Sequence, residues 1–91
     1  VSFNPEQKAI ETLVVTVRPG DMVRYLVVDA EIWTSFLQQQ PGFISKQNLL
    51  ATDADIETAT DVYQIIEWNS YQQWKNISSS DLARVNERFV Q

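Results

Sequence analysis

The sequence predicts an α+β domain, one antiparallel sheet with helices packed against it. Three patterns predict it. Residues alternate between two sides over Ile10–Val17 and again over Asp61–Trp68, the two-residue period of a strand. Apolar residues recur at three- and four-residue steps between Met22 and Gln39, the period of a helix. Only an acidic loop separates Phe43–Ala51 from Asp61–Trp68, so these two strands form an antiparallel hairpin. At 91 residues the chain makes one domain, because neither half alone would bury enough core.

Residues 1–9 are mixed and polar and read as an N-terminal arm; residues 10–91 form the domain. In the first strand Leu13, Val15 and Val17 point one way and Val14 and Thr16 the other, so both sides need cover. Arg18-Pro19-Gly20-Asp21 stops it; Pro19 suits a first helical turn and Asp21 the positive helix end. The helix stripe is Met22, Leu26, Ala30, Trp33 and Leu37, and Pro41-Gly42 ends it. The second strand is Phe43–Ala51. The third puts Val62, Ile66 and Trp68 on one face and Tyr63, Ile65 and Glu67 on the other. Ser70 with Gln73 makes a capping box for a short helix, Tyr71–Ile77. The serine triplet interrupts it, and a last helix runs Asp81–Val90 with Leu82, Val85 and Phe89 on one stripe. The order β-α-β-β-α-α is that of a ferredoxin-like protomer in which a final strand is expected after Gln91.

Composition removes several function classes. Twelve acids against seven bases give a net charge of −5, which argues against nucleic acid as a partner. No apolar run is long enough for a membrane span. The chain has no cysteine and no histidine, so it offers no disulfide, no thiolate site and none of the commonest general base. A soluble protein without metal or cofactor is expected. The chain starts at Val1 without a visible leader, which suggests a trimmed form; the compartment stays open, with the cytoplasm favoured.

The segments Asp29-Ala30-Glu31-Ile32-Trp33-Thr34, Gln40-Pro41-Gly42-Phe43-Ile44-Ser45-Lys46 and Val62–Trp68 with Ser70 and Gln73-Trp74-Lys75 carry a resemblance. Over Ile10–Val90 the chain resembles the antibiotic-biosynthesis-monooxygenase-like group of the dimeric α+β barrel superfamily. Within that group it resembles a small uncharacterised family with the patterns D-A-E-I-W-T and W-x-S-x-x-Q-W-K. The resemblance implies a homodimer whose sheets pack face to face. In quinol-oxidising members a tryptophan ending the third strand, an aromatic on the next helix, an amide in the strand and an arginine on the last helix hold an aromatic polyketide. Trp68, Trp74, Gln64 and Arg88 occupy comparable positions, with Gln64 in place of an asparagine and Trp74 in place of a tyrosine. The haem-degrading branch uses a histidine ligand, which this chain lacks.

Each candidate residue has two readings. Trp33, Trp68 and Trp74 either fill the core or wall a flat aromatic pocket. Glu67 is either an exposed carboxylate or, in an apolar cavity, a base. Arg88, four residues after Arg84, is either on a solvated face or aimed into the pocket. The acidic run Asp53, Asp55, Glu57 and Asp61 lacks the glycine and glutamate of a calcium loop and reads as a solvated turn.

Two functions follow. The first, slightly favoured, is a non-enzymatic small-molecule-binding or stress-associated domain. The second is a cofactor-independent monooxygenase-like enzyme for a small aromatic or quinol-type substrate, with Gln64 and Arg88 stabilising a phenolic oxygen. An open, polar-lined cavity beside Trp68 favours the enzyme; one filled by the three tryptophans favours the other reading. Val14, Tyr63 and Ile65 are expected to need a partner subunit, and the arm, a partner or a neighbour is expected to cap the free edge at Ile10–Val17.

Overall fold

A computed structural model describes residues 3–51 and 53–90. The elements are β1 (Ala9–Thr16), α1 (Met22–Asp29), a π-helical segment (Ala30–Thr34), α2 (Ser35–Gln38), β2 (Phe43–Leu49), β3 (Asp61–Trp68), α3 (Tyr71–Lys75) and α4 (Ser79–Phe89). They form an α+β fold around a three-stranded antiparallel sheet of order β1-β3-β2. This order is compatible with a ferredoxin-like arrangement. No helix among the described residues is long and apolar enough to cross a membrane.

Local chemistry explains the boundaries. Pro19 does not open the helix. With Gly20 (φ 90°) it forms the centre of a tight turn closed by Asp21 N–H to Arg18 O at 3.0 Å, where positive φ after proline suits glycine. The Asp21 carboxylate takes Arg18 Nε at 3.1 Å and does not cap the helix. Ser70 caps α3 as expected, accepting from Gln73 N–H at 3.1 Å, but the Gln73 side chain takes the Ser70 hydroxyl at 3.1 Å and not the Ser70 backbone N–H, so the reciprocal half of the capping box is replaced. Two of the three serines join α4, and Ser78 caps it by accepting from Asp81 N–H. The helix after β1 is also not uniform. Its middle widens at Ala30–Thr34, where Ser35 Oγ donates to Ala30 O at 3.2 Å.

β3 lies central and is the most buried strand. Its inward residues Val62, Gln64, Ile66 and Trp68 are all buried, and Trp68 is wholly enclosed. Trp68, Ile66 and Leu37 make the main core cluster, with Phe36, Phe43, Trp74 and Ile77 packed on it. The Phe43 ring meets Trp68 edge-on at 5.9 Å. Among the described residues no helix covers the other sheet face. Ile10, Val14, Leu49 and Tyr63 are each more than two-fifths exposed there.

The arm runs to α3 and not along the β1 edge. Tyr71 N–H donates to Gln7 O and Gln72 N–H to Pro5 O, each at 2.9 Å. Phe3 sets its ring against Tyr71 at 4.8 Å. Ala9, read as arm, pairs with Trp68 as the first residue of β1. Val1 and Ser2 of the arm lie outside the described residues. On the side away from β3, β1 has no neighbouring strand among the described residues.

Candidate functional site

Between the inward sheet face and the helices lies an open cavity of about 500 Å³, within the ordinary size range of small-molecule sites. Its apolar walls are Leu13 and Val15 from β1, Trp33, Ile66 from β3, Trp74 from α3, and Phe89 from α4. Trp33 and Phe89 are 6.4 Å apart at 59°, and Phe89 meets Tyr25 edge-on at 5.7 Å. Lys75 lays its ammonium 4.2 Å over the Trp74 ring, so the cation screens one face of that indole from solvent.

One region of the lining is polar, and it is built by helix spacing and a strand irregularity together. Tyr25, Asp29, Trp33 and Leu37 follow at four-residue steps and all line the cavity. Across from them, β2 carries a register shift between Phe43 and Ser45. This bulge inverts the alternation of the strand. Lys46 and Asn48 therefore pair with Ile66 and Gln64 and share their inward face.

Lys46 Nζ meets Asp29 Oδ2 at 2.7 Å, with the side chains only 3% and 2% exposed. Asn48 Nδ2 donates to the same oxygen at 3.0 Å, while Asn48 Oδ1 is buried without a partner. Beside this pair Gln64 Nε2 donates to the Tyr25 hydroxyl oxygen at 3.0 Å. Burial, and after it the Asp29 charge, push the Tyr25 hydroxyl up to about 12, against the opposing effect of the Gln64 bond. Tyr25 is thus a neutral donor at any physiological pH.

The residues singled out from the sequence divide. Trp33, Gln64 and Trp74 are brought together on the cavity lining. Trp68 lies on the same sheet face but is fully buried, a support behind the cavity and not part of its surface; its Nε1 donates to Glu11 Oε1 at 3.4 Å. Arg88 does not enter the cavity. Leu82, Asn86 and Phe89 of α4 line the cavity, while Arg88 lies with Val85, Arg84 and Asp81 around a separate surface depression near Phe36. One helical position turns the side chain by about 100°, which separates Arg88 from Phe89. Glu67 also stays away, because alternation along β3 sets it on the outer face, opposite Ile10 and Ser45.

The sequence reading missed the Asp29–Lys46 pair and did not distinguish Tyr25 from the other tyrosines. A signal for Asp29 existed: it stands four residues from both Tyr25 and Trp33, a charge on an aromatic stripe. The Lys46 signal was hidden by the bulge. No group of three or more acids among the described residues could hold a metal ion. Comparisons with protein-family models, curated proteins and solved structures return no match.

Proposed function

We propose that the protein binds a small, flat aromatic molecule in the cavity between helices and sheet, without catalysing its conversion, because Arg88, the charge expected to stabilise a phenolic oxygen, lies outside the lining. The observation that carries this is the open 500 Å³ space walled by Trp33, Trp74 and Phe89, with Tyr25 and Gln64 as its polar contact. Aromatic walls favour a flat ring through area and edge-to-face contact, and a few placed polar groups fix its orientation. The test is titration with 2-naphthol-sized aromatics, followed by tryptophan fluorescence. Saturable binding that Trp74→Ala weakens supports the reading; an absence of saturable binding across such a series overturns it.

The openness of this cavity, with an amide on its lining, favours a second reading as a monooxygenase-like enzyme for a quinol-type substrate. Arg88 has no part in that version; Tyr25 and Gln64 would hold the phenolic oxygen. Oxygen uptake with a reduced naphthoquinone, lost in Gln64→Leu, is its required result.

The protein is further proposed to act as a homodimer of the dimeric α+β barrel kind, joined through the outer sheet face. The exposed Ile10, Val14, Leu49 and Tyr63 support this, since a contiguous apolar face is uncommon on a monomer. Sedimentation at micromolar concentration that returns a monomer overturns it.

A further inference from the structure

The polar region of the cavity also selects among aromatic ligands. We propose that Tyr25 is its specificity-determining residue and that the ligand carries a neutral oxygen acceptor, an aryl ketone or aldehyde, opposite the Tyr25 hydroxyl. The inference rests on the reading of the cavity as an aromatic ligand site, and it deepens that reading.

Three observations carry it. First, Gln64 Nε2 occupies the Tyr25 oxygen as an acceptor at 3.0 Å, and the hydroxyl proton has no acceptor among the described residues. A phenol has one proton to give, and both Tyr25 and Gln64 lie on the cavity lining, where a ligand oxygen can approach. Gln64 is 5% exposed, which fixes the amide and through it the phenol oxygen.

Second, the charges facing the cavity already cancel. Asp29 and Lys46 form a buried pair, Glu11 of β1 accepts from Trp68 Nε1, and Lys75 of α3 lies over the Trp74 ring, so the lining acids and bases are equal in number. A carboxylate placed at the Tyr25 hydroxyl would sit near the Asp29 charge, and Lys46, the buried cation of this region, is already paired with Asp29. Burial of a charge without a partner is strongly unfavourable. An entering cation meets a carboxylate whose charge Lys46 already offsets and whose Oδ2 accepts from both Lys46 and Asn48.

Third, the walls around this donor are aromatic and aliphatic, so the group carrying the acceptor must itself be apolar and flat. The raised Tyr25 hydroxyl keeps its proton across the working pH range, which leaves a donor where an ionised phenol would repel an oxygen.

The test uses one ring system with three headgroups: 2-acetylnaphthalene, 2-ethylnaphthalene and 2-naphthoate, titrated at neutral pH by tryptophan fluorescence. The ketone should bind about tenfold more tightly than the hydrocarbon, the size of one net hydrogen bond, and the carboxylate more weakly than either. Tyr25→Phe should bring ketone binding down to that of 2-ethylnaphthalene in the same variant, whose saturable binding of 2-ethylnaphthalene shows that it is folded. The infrared carbonyl stretch of bound 2-acetylnaphthalene reads the same bond without a variant and should fall below its value in hydrocarbon solvent. Equal binding of all three, tightest binding of the carboxylate, an unshifted carbonyl stretch, or a ketone preference that survives Tyr25→Phe overturns this inference alone. Failure of all three to bind overturns the aromatic-site reading with it.

Discussion

Replacing Lys46 by methionine tests whether the polar region of the cavity is an ion pair in a dry setting. The side chains of Lys46 and Asp29 are 3% and 2% exposed and meet at 2.7 Å. At an effective dielectric of about 20, unit charges some 4 Å apart attract by about 4 kcal/mol. Methionine keeps most of the lysine stem but removes the charge, leaving the Asp29 carboxylate with one neutral donor, Asn48 Nδ2. Removing one partner of a buried pair costs about 3–5 kcal/mol, a large part of the roughly 5–10 kcal/mol that holds a domain this size. Lys46→Met should therefore lose about a third or more of its stability at 25 °C. The double variant Asp29→Asn with Lys46→Met removes both charges and keeps an acceptor for Asn48, so it should recover to within about 2 kcal/mol of the unmodified protein. Urea unfolding of the four proteins in the cycle gives the coupling directly. A Lys46→Met loss under about 1 kcal/mol, or a double variant as unstable as the sum of the singles, would refute the reasoning.

Trp74→Ala should cost about 1–2 kcal/mol, below the ~3–5 kcal/mol of a fully buried aromatic such as Trp68, because Trp74 is half-buried on the lining; Arg88→Ala should stay within about 0.5 kcal/mol and leave aromatic binding unchanged, both read by urea unfolding and ligand titration. Tyr25 adds a pH dependence. An unfolded tyrosine ionises near 10 and this one near 12, so its contribution is whole below pH 10 and is lost as pH rises from 10 to 12. Part of the ring meets solvent, so the loss should be only on the order of 1 kcal/mol, measured as the difference in unfolding between the protein and Tyr25→Phe at pH 9 and pH 12. Gly42→Ala should cost more than about 1 kcal/mol in thermal or urea unfolding, since its φ is 87° and a Cβ there would overlap the Gln73 side chain. Gly20→Ala should cost less, because its φ of 90° is strained but the space around it is open.

The strand pattern was legible because burial on one face leaves a two-residue period. Val62, Gln64, Ile66 and Trp68 alternate with Tyr63, Ile65 and Glu67 along β3, and β3 has no irregularity against β1 over its whole length. β2 was legible as a strand but not in its facing. An unbroken alternation from Phe43 puts Ser45 and Gln47 inward and Lys46 outward. The bulge at Ile44 sets two residues against one step of β3 and reverses that assignment. Composition gives no sign of such a bulge, so the buried ammonium of the site could not be read from the chain. Arg88 failed for a related reason. Its spacing from Arg84 locates a helix face but not which face turns inward, and that depends on Leu82, Asn86 and Phe89 meeting the cavity.

The π-helical segment is the less visible of the two irregularities and explains why the helix stripe came out differently. Four-residue steps exceed the ~3.6-residue helical turn, so each rotates a stripe by about 40° and three rotate it by about 120°. In an unbroken α-helix Tyr25 and Leu37 would face different directions, and the apolar stripe through Ala30 would be the natural inward line. Ala30 is instead exposed and Asp29 buried. The wider turn at Ala30–Thr34 takes up about one extra residue and returns roughly 100°, which brings Tyr25, Asp29, Trp33 and Leu37 back to one line along the cavity. The bulge in β2 and the π segment thus act on the same pair from opposite sides. One carries Lys46 inward from the sheet, and the other keeps Asp29 inward on the helix while Leu37 stays in the core. Irregular turns of this kind concentrate at functional sites, and here both meet at the buried Asp29–Lys46 pair on the cavity lining.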